Sequence, residues 1–115
     1  THCDLGKVSD KEKLYDEIVN SKNFLEKKLK NKINHFAFSF GNFDNISKES
    51  INIASKKFKF IYSSLRGNNF KNNLKNIILR DTLYLDSSLN LIELFIFGFF
   101  DFKYKKYIKK INSFF

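Results

Sequence analysis

Proline, methionine and tryptophan are absent from the 115 residues, and Cys3 is the only cysteine. A single cysteine excludes an internal disulfide and a zinc cluster built on several cysteines, so cysteine usage does not identify the redox compartment. Because the sequence opens at Thr1 without a methionine, we expect a processed chain or a piece of a longer protein. With 43% hydrophobic residues it is too apolar for a disordered tail and has the length of one domain.

Arginine is scarce: Arg66 and Arg80 are the only two, although the formal net charge is +9. Proteins that contact phosphates or base edges rely on the bidentate guanidinium of arginine, so an excess made of lysine is a weak sign of nucleic-acid binding. The lysines accompany many asparagines, isoleucines and phenylalanines, whose codons are rich in A and T. We therefore attribute the charge mainly to genome composition and do not expect nucleic acid as a partner.

The sequence also lacks a long apolar run. Its most apolar stretch, Leu89 to Phe100, contains Glu93 and is far shorter than the roughly 20 apolar residues that a membrane span requires. We expect this stretch to form a buried helix.

The first half of the chain has helical and then strand-like periodicity. Ser9 and Glu12 have the spacing of a capping box, which predicts a helix start. Apolar residues then recur at helical spacing through about Lys30, and we expect them to form one buried face: Leu14, Ile18, Leu25 and Leu29. From Ile33 the period changes to two, so Phe36, Phe38 and Phe40 predict a strand with one aromatic face.

The second half continues the alternation of helices and strands. We expect a helix from Ser47 through about Lys57, strands at residues 58–64 and 77–79, a helix at 89–97 and a last helix after Gly98. This order predicts an α/β fold with a parallel sheet. The apolar side of the last helix carries Tyr104, Tyr107, Ile108 and Ile111. We favour packing of that side on the core, and an anionic membrane surface is the alternative.

These segments, in this order, resemble the polysaccharide deacetylases of carbohydrate esterase family 4, whose domain is the NodB-type domain. Thr1-His2-Cys3-Asp4-Leu5 is similar to the end of the family's His-rich metal motif. His35-Phe36-Ala37-Phe38-Ser39-Phe40-Gly41 is similar to the Phe-Ala-Tyr-Pro-Phe-Gly segment of one subgroup, with Ser39 in place of proline. Residues 58–64, Arg66-Gly67-Asn68 and Leu79-Arg80-Asp81 resemble the strands and loop that follow. The resemblance covers nearly the whole chain.

The resemblance implies a partial NodB-type deformed β/α barrel, truncated before its first strands. The complete enzyme would hydrolyse N- or O-acetyl groups on a bacterial surface glycan with a divalent metal, most simply zinc. By resemblance, His2 is a metal ligand, whereas the family's Asp-Asp motif and first histidine would precede Thr1. The isolated chain is therefore expected to bind no metal and to be inactive. The substrate-binding residues that the resemblance implies are Ser39, Phe40, Gly41, Arg66 and Asn68.

Other interpretations remain open. The chain could be a small basic module without catalysis that binds polyanions through Lys56, Lys57, Lys59 and the C-terminal lysines, or that lies on a membrane surface. It could also be a degenerate remnant without activity. The expected partners are an acetylated polysaccharide or lipid-linked glycan and, through an exposed sheet edge, a second copy of the chain. The compartment, bacterial cytoplasm or cell envelope, is left undetermined.

Overall fold

The computed structural model describes residues 2–70, 74 and 76–114. A first helical stretch consists of α1 (Lys11–Tyr15), a π-helical segment (Asp16–Asn20) and α2 (Ser21–Leu29). Next come β1 (His35–Ala37), α3 (Lys48–Lys57), β2 (Phe60–Tyr62) and β3 (Ile77–Ile78). The last helices are α4 (Leu89–Ile96) and α5 (Lys105–Asn112), with 3-10 turns at Phe43–Asn45 and Asp101–Tyr104.

The three strands form a parallel sheet in the order β1-β2-β3, so neighbours in sequence are neighbours in space. His35 lies opposite Phe60, and Ile61 lies opposite Ile77. The predicted α/β class is confirmed in this form. The Asn/Lys-rich segment 68–76, whose sequence is typical of a long loop, is described only in part, because residues 71–73 and 75 lie outside the described residues.

The described helices before β2 cover one face of this sheet. Side chains alternate along a strand, and the buried set on β2 and β3 includes Ile61 and Ile77. They belong to one core cluster with Leu14 and Ile18 of the first helical stretch and Ile51 of α3. The first helical stretch and α3 also contact each other, which places them on the same side.

The opposite sheet face carries aromatic side chains that the described residues do not bury. His35 and Ala37 are exposed, and Phe60 and Tyr62 are half-buried. The His35 ring stacks on Phe60 with a centroid separation of 5.0 Å, and its Nδ1 lies 2.8 Å from the Tyr62 hydroxyl. We call this surface the open sheet face. The open sheet face is not the aromatic face that the sequence predicts. Phe36 and Phe38, which belong to that predicted face, point to the core side of the sheet.

The first helical stretch departs from two expectations. The predicted capping box at Ser9 is wrong: Asp10 is the N-cap, and its carboxylate accepts from the Glu12 amide at 2.9 Å. A carboxylate there also interacts favourably with the helix dipole. Leu25 and Leu29 are exposed, because the part of the helix that packs on α3 ends at Val19 and α2 has no buried residue.

Two further expectations about apolar residues are corrected. Phe40 does not share the face of Phe38, because it adopts a left-handed φ of 62° after β1 has ended and is exposed. Helix α4 is not buried: none of its residues is classed as buried, and Leu89 and Ile96 are largely exposed. The described residues cover too little of the surface of α4 to bury its apolar side chains.

The last helix does pack on the core, as favoured. Ile111 is fully buried, and Tyr104, Tyr107 and Ile108 pack against the core cluster. Phe43 contacts the Tyr107 ring at 5.3 Å between centroids. The lysines of α5 consequently lie on the solvent side.

The cap of α3 gives a stability prediction. Ser47 Oγ accepts from the Ser50 amide at 3.2 Å, and Ser50 Oγ accepts from the Ser47 amide at 3.0 Å. Removing the cap with Ser47→Ala is expected to lower the free energy of unfolding by about 1 kcal/mol. Ser88→Ala is the matched control, because Ser88 caps the exposed helix α4 through one longer bond of 3.4 Å to Leu91. Urea denaturation followed by circular dichroism measures both, and equal losses would contradict the prediction.

Candidate functional site

A cavity of about 420 Å³ opens at the carboxyl ends of the three strands. The strands are parallel, so the loops that follow them meet at one edge of the sheet. Phe40 and Asn42 after β1, Ser64 after β2 and Arg80 after β3 all line the cavity. In α/β folds ligands bind at this edge. The cavity is therefore the candidate functional site.

Gly41 joins the loops after β1 and β2. Its carbonyl accepts from the Ser64 amide at 2.8 Å, and its own amide donates to Ser39 O at 2.7 Å. Gly41 has a φ of 65°, which glycine adopts at no steric cost. The turn places Phe40, exposed, at the cavity and Gly41, buried, behind it.

Arg66 forms part of the cavity wall through two interactions. Its Nε forms a salt bridge with Asp81 on the loop after β3. Its guanidinium carbon also lies 3.7 Å from the centroid of the Phe95 ring on α4. Both residues line the same cavity. Arg66 therefore links the loops after β2 and β3 to helix α4. Because its charge is already paired with Asp81, its main role is to hold the cavity wall in place.

Arg80 is the exposed cation of the cavity. Its Nε donates to Ser63 O at 2.9 Å, and its guanidinium carbon lies 5.4 Å from the Tyr62 centroid. Within residues 2–70, 74 and 76–114 it makes no ion pair. Since Nε is occupied by the backbone, the terminal nitrogens can donate to a ligand oxygen.

Tyrosine and hydroxyl side chains complete the lining. Tyr84, Tyr104 and Phe95 offer aromatic surfaces, and Ser64 and Ser87 offer hydroxyls. A sugar presents apolar C–H faces and many hydroxyls. Recognition of such a ligand requires apolar rings beside convergent hydrogen-bonding groups, and this combination lines the cavity.

His2 lies close to the cavity without lining it. Its ring meets Phe40 edge to face at a centroid distance of 4.9 Å, and it is exposed. Among the described residues there is no group of three or more histidine, cysteine, aspartate or glutamate side chains that could hold a metal ion. Thr1, the first residue of the motif that resembles a metal site, lies outside the described residues.

Asp4, two residues after His2 in sequence, has a structural role. Burial acts to raise the pKa of Asp4, but hydrogen bonds from Asn45, Lys7 and the Gly6 amide outweigh it and hold the pKa below its usual value. The side-chain amide Nδ2 of Asn45 donates to Asp4 Oδ2 at 2.9 Å. Because the folded pKa is lowered, this contribution to stability is present at neutral pH and is lost as pH falls through that pKa.

The structure brings some of the predicted site residues together and leaves others apart. Phe40 and Arg66 line the cavity, and Gly41 supports it from behind. Ser39 contributes its carbonyl to the turn and does not line the cavity. Asn68 is exposed and lines a neighbouring depression, where its Oδ1 accepts from the Phe70 amide at 2.8 Å.

The lysines considered for polyanion binding lie elsewhere. Lys56 and Lys57 occupy the last turn of α3, where positive charge complements the helix dipole, and Lys59 lies 5.2 Å from the Phe60 centroid. The polyanion-binding module stays a prediction. A salt titration against DNA tests it, because a true polyanion binder loses affinity log-linearly with salt.

Sequence reasoning missed several cavity residues. Arg80 and Asp81 follow β3 after a single residue, Leu79, so the rule that parallel strands present their carboxyl ends together could have identified them. Tyr84, Phe95 and Tyr104 carry no such signal. They reach the cavity only because the chain after β3 folds back over the sheet edge.

Comparisons with protein-family models, with curated proteins and with solved structures find no significant match to this chain.

Proposed function

We propose that this chain is the glycan-binding part of a NodB-type polysaccharide deacetylase domain. The complete domain would be a deformed β/α barrel that hydrolyses N- or O-acetyl groups on a bacterial surface glycan. The observation that carries the proposal is the cavity at the carboxyl ends of the strands, lined by Phe40, Arg66 and Arg80. These three residues lie in segments that resemble the family.

The topology favours an arc of a barrel rather than part of a doubly wound sheet. Three consecutive parallel strands occupy neighbouring positions, and the described helices before β2 lie on one face. A doubly wound sheet covers both faces with helices, whereas a barrel keeps its helices outside. Under this proposal the open sheet face, with His35, Phe60 and Tyr62, is the inner surface of the arc.

The cavity residues bind and orient a sugar in this proposal. Tyr84 and Phe95 stack on its apolar faces, Arg80 donates hydrogen bonds to its oxygens, and the Arg66–Asp81 pair keeps the loops in place. His2 lies beyond Phe40, on the rim. No metal-dependent step is assigned to the described residues. The proposal takes the remaining ligands and the general base from outside these 115 residues.

The first test is catalytic. The isolated chain is expected to release no acetate from an N-acetylated oligosaccharide, with or without added zinc, because the proposal places the general base and the carboxylate ligand outside it. Acetate release is measured by enzyme-coupled assay. Zinc-dependent release by the 115-residue chain, abolished by a chelator, would show that the catalytic groups lie within it. This result would contradict the proposal that they lie outside these 115 residues.

The second test is binding. Tryptophan is absent, so tyrosine emission can report ligand binding directly. An N-acetylated oligosaccharide is expected to change that emission, and Tyr84→Ala is expected to weaken binding about five- to tenfold, the scale of one aromatic contact. Tyr15→Ala is the control, because Tyr15 is exposed on α1 and lines no part of the cavity. Equal affinities for both variants, or no binding by the unmodified chain, would contradict the proposed site.

A further inference from the structure

The segment that follows the middle of α4 exposes large apolar side chains in succession. Ile96, Phe97, Phe99 and Phe102 are 74%, 83%, 61% and 59% exposed. Single exposed apolar residues are normal on protein surfaces, but a contiguous set marks a binding surface. We call these four residues the apolar patch. Phe97, Phe99 and Phe102 line one shallow depression, so they are neighbours in space.

The patch is anchored to the rest of the protein. The Phe95 ring lies under the Arg66 guanidinium at 3.7 Å, and Phe100 contacts Phe95 at 5.5 Å between centroids. Gly98, with a φ of 70°, reverses the chain between them. The segment therefore uses Phe95 and Phe100 to hold its position and turns the patch away from the body.

Two lysines flank the patch. Lys105 and Lys109 line the same depression as Phe97 and Phe102. Lys103, Lys106 and Lys110 are also exposed, and their Nζ atoms lie 5.2, 5.4 and 4.6 Å from the ring centroids of Phe100, Tyr107 and Phe43. They lie on the solvent side because the opposite side of α5 packs on the core, with Ile111 fully buried. Asp101 lines the depression as well, so the two lysines leave a net positive charge there. An apolar centre with a net positive rim complements the acyl chains and anionic headgroups of a lipid surface.

The same charges disfavour a second copy on this patch. In a two-fold dimer the patch would face its own equivalent, and two depressions of net positive charge, each lined by Lys105, Lys109 and Asp101, would meet. An anionic bilayer instead places negative headgroups opposite the lysines. Each lysine near such a surface strengthens the attraction. Charge complementarity therefore selects a lipid surface as the occupant.

The helices around the patch are too short for a bilayer span. Within the described residues no helix is long and apolar enough to cross a membrane. Helix α4 has 8 residues, or about 12 Å at 1.5 Å per residue, against a hydrocarbon core of about 30 Å.

We propose that the apolar patch and the lysines of α5 dock this protein onto the surface of an anionic phospholipid bilayer. Phe97, Phe99 and Phe102 enter the boundary between headgroups and acyl chains, and Lys105 and Lys109 contact the headgroups. This site differs from the one that the sequence suggests, because the apolar side of α5 is used by the core and the inserting side chains come from the patch. The proposal does not depend on deacetylase activity.

Vesicle flotation with the full 115-residue chain tests the proposal. Binding to vesicles of phosphatidylserine and phosphatidylcholine in equal parts is expected to be at least about tenfold tighter than binding to phosphatidylcholine alone, and to weaken with salt. The double variant Phe97→Ser/Phe99→Ser is expected to lose about tenfold or more in affinity. Lys105→Gln/Lys109→Gln should lower binding to anionic vesicles while keeping the apolar patch, so it tests the rim separately.

The control is Phe24→Ser/Leu29→Ser on α2. These side chains are 58% and 64% exposed, and Lys28 lies 4.9 Å from the Phe24 centroid, so the control matches exposure and nearby charge. It is expected to bind vesicles like the unmodified chain. Equal binding to neutral and anionic vesicles, or equal loss in control and patch variants, overturns the proposal. So does a patch variant that only dissociates an oligomer in the absence of lipid.

Discussion

Replacing Gly41 with alanine is expected to lower the free energy of unfolding by about 2–4 kcal/mol, combining the strain of a left-handed φ with overpacking. Gly41 has a φ of 65°, and a Cβ atom there would lie 2.6 Å from Ser64 Oγ and 2.7 Å from the Ser64 backbone nitrogen. The hydroxyl can rotate away, but the backbone nitrogen belongs to the loop after β2. The loops after β1 and β2 must therefore separate, and the cavity between Phe40 and Ser64 must change shape.

Gly98→Ala provides the matched control. Gly98 has a similar φ of 70°, but its Cβ would meet only the Asp101 carboxylate, at 2.8 Å, which is the end of a flexible side chain. We expect this variant to lose only the conformational part, about 1–2 kcal/mol. Urea denaturation at low protein concentration compares the two. If Gly98→Ala costs as much as Gly41→Ala, backbone crowding at Ser64 is not the cause. Oligosaccharide binding should weaken in the Gly41 variant alone, because only Gly41 supports the cavity.

The sequence was sufficient for the elements that depend on local signals. The strand containing Phe36, the helix that starts at Ser47 and the amphipathic pattern around Ile111 all led to the structures observed. Each rests on neighbours within one or two turns. The parallel sheet followed because helices separate β1 from β2 in the chain. These predictions concern which residues prefer to be buried together, and the core cluster satisfies them.

The predictions that failed needed information about distant parts of the chain. Composition alone made Leu89 to Phe100 a buried helix, but burial requires a covering surface. In the described residues that surface reaches Leu91, Ile92, Phe95 and Phe100 only in part, and the other apolar side chains of the stretch are exposed. Phe40 continues the alternation of the strand in sequence. It leaves the strand face because the turn into Gly41 begins before it, and the alternation of residue types does not show where a turn begins.

The site shows the same limit. Arg80 and Asp81 could be placed at the cavity by the direction of the strands, since they follow the end of β3 after only one residue. Tyr84, Phe95 and Tyr104 depend on the path of α4 and the turn after it. Nothing within a few residues of them determines that path. The contact that fixes it is the Arg66 guanidinium on Phe95, which joins residues far apart in sequence.

The second large effect concerns self-association. A parallel sheet normally has both faces covered, whereas here the open sheet face leaves His35 and Ala37 exposed and Phe60 and Tyr62 half-buried. Strands β1 and β3 are the two ends of the strand order, so within the described residues each also has one unpaired edge. We expect the 115-residue chain to self-associate at micromolar concentration, or to melt without a sharp transition.

Phe60→Lys tests whether the open sheet face is the contact. Phe60 has its ring on the uncovered side, stacked with His35, so a lysine there can reach solvent in the monomer. In an assembly it would bury a charge, which is costly unless the charge is paired, so oligomers are expected to dissociate. Phe24→Lys on α2 makes the same change at an exposed phenylalanine away from the sheet and should leave the assembly intact. Sedimentation velocity measures both. A monodisperse monomer with a sharp two-state melt would contradict the prediction, as would an assembly that Phe97→Ser/Phe99→Ser dissolves and Phe60→Lys does not.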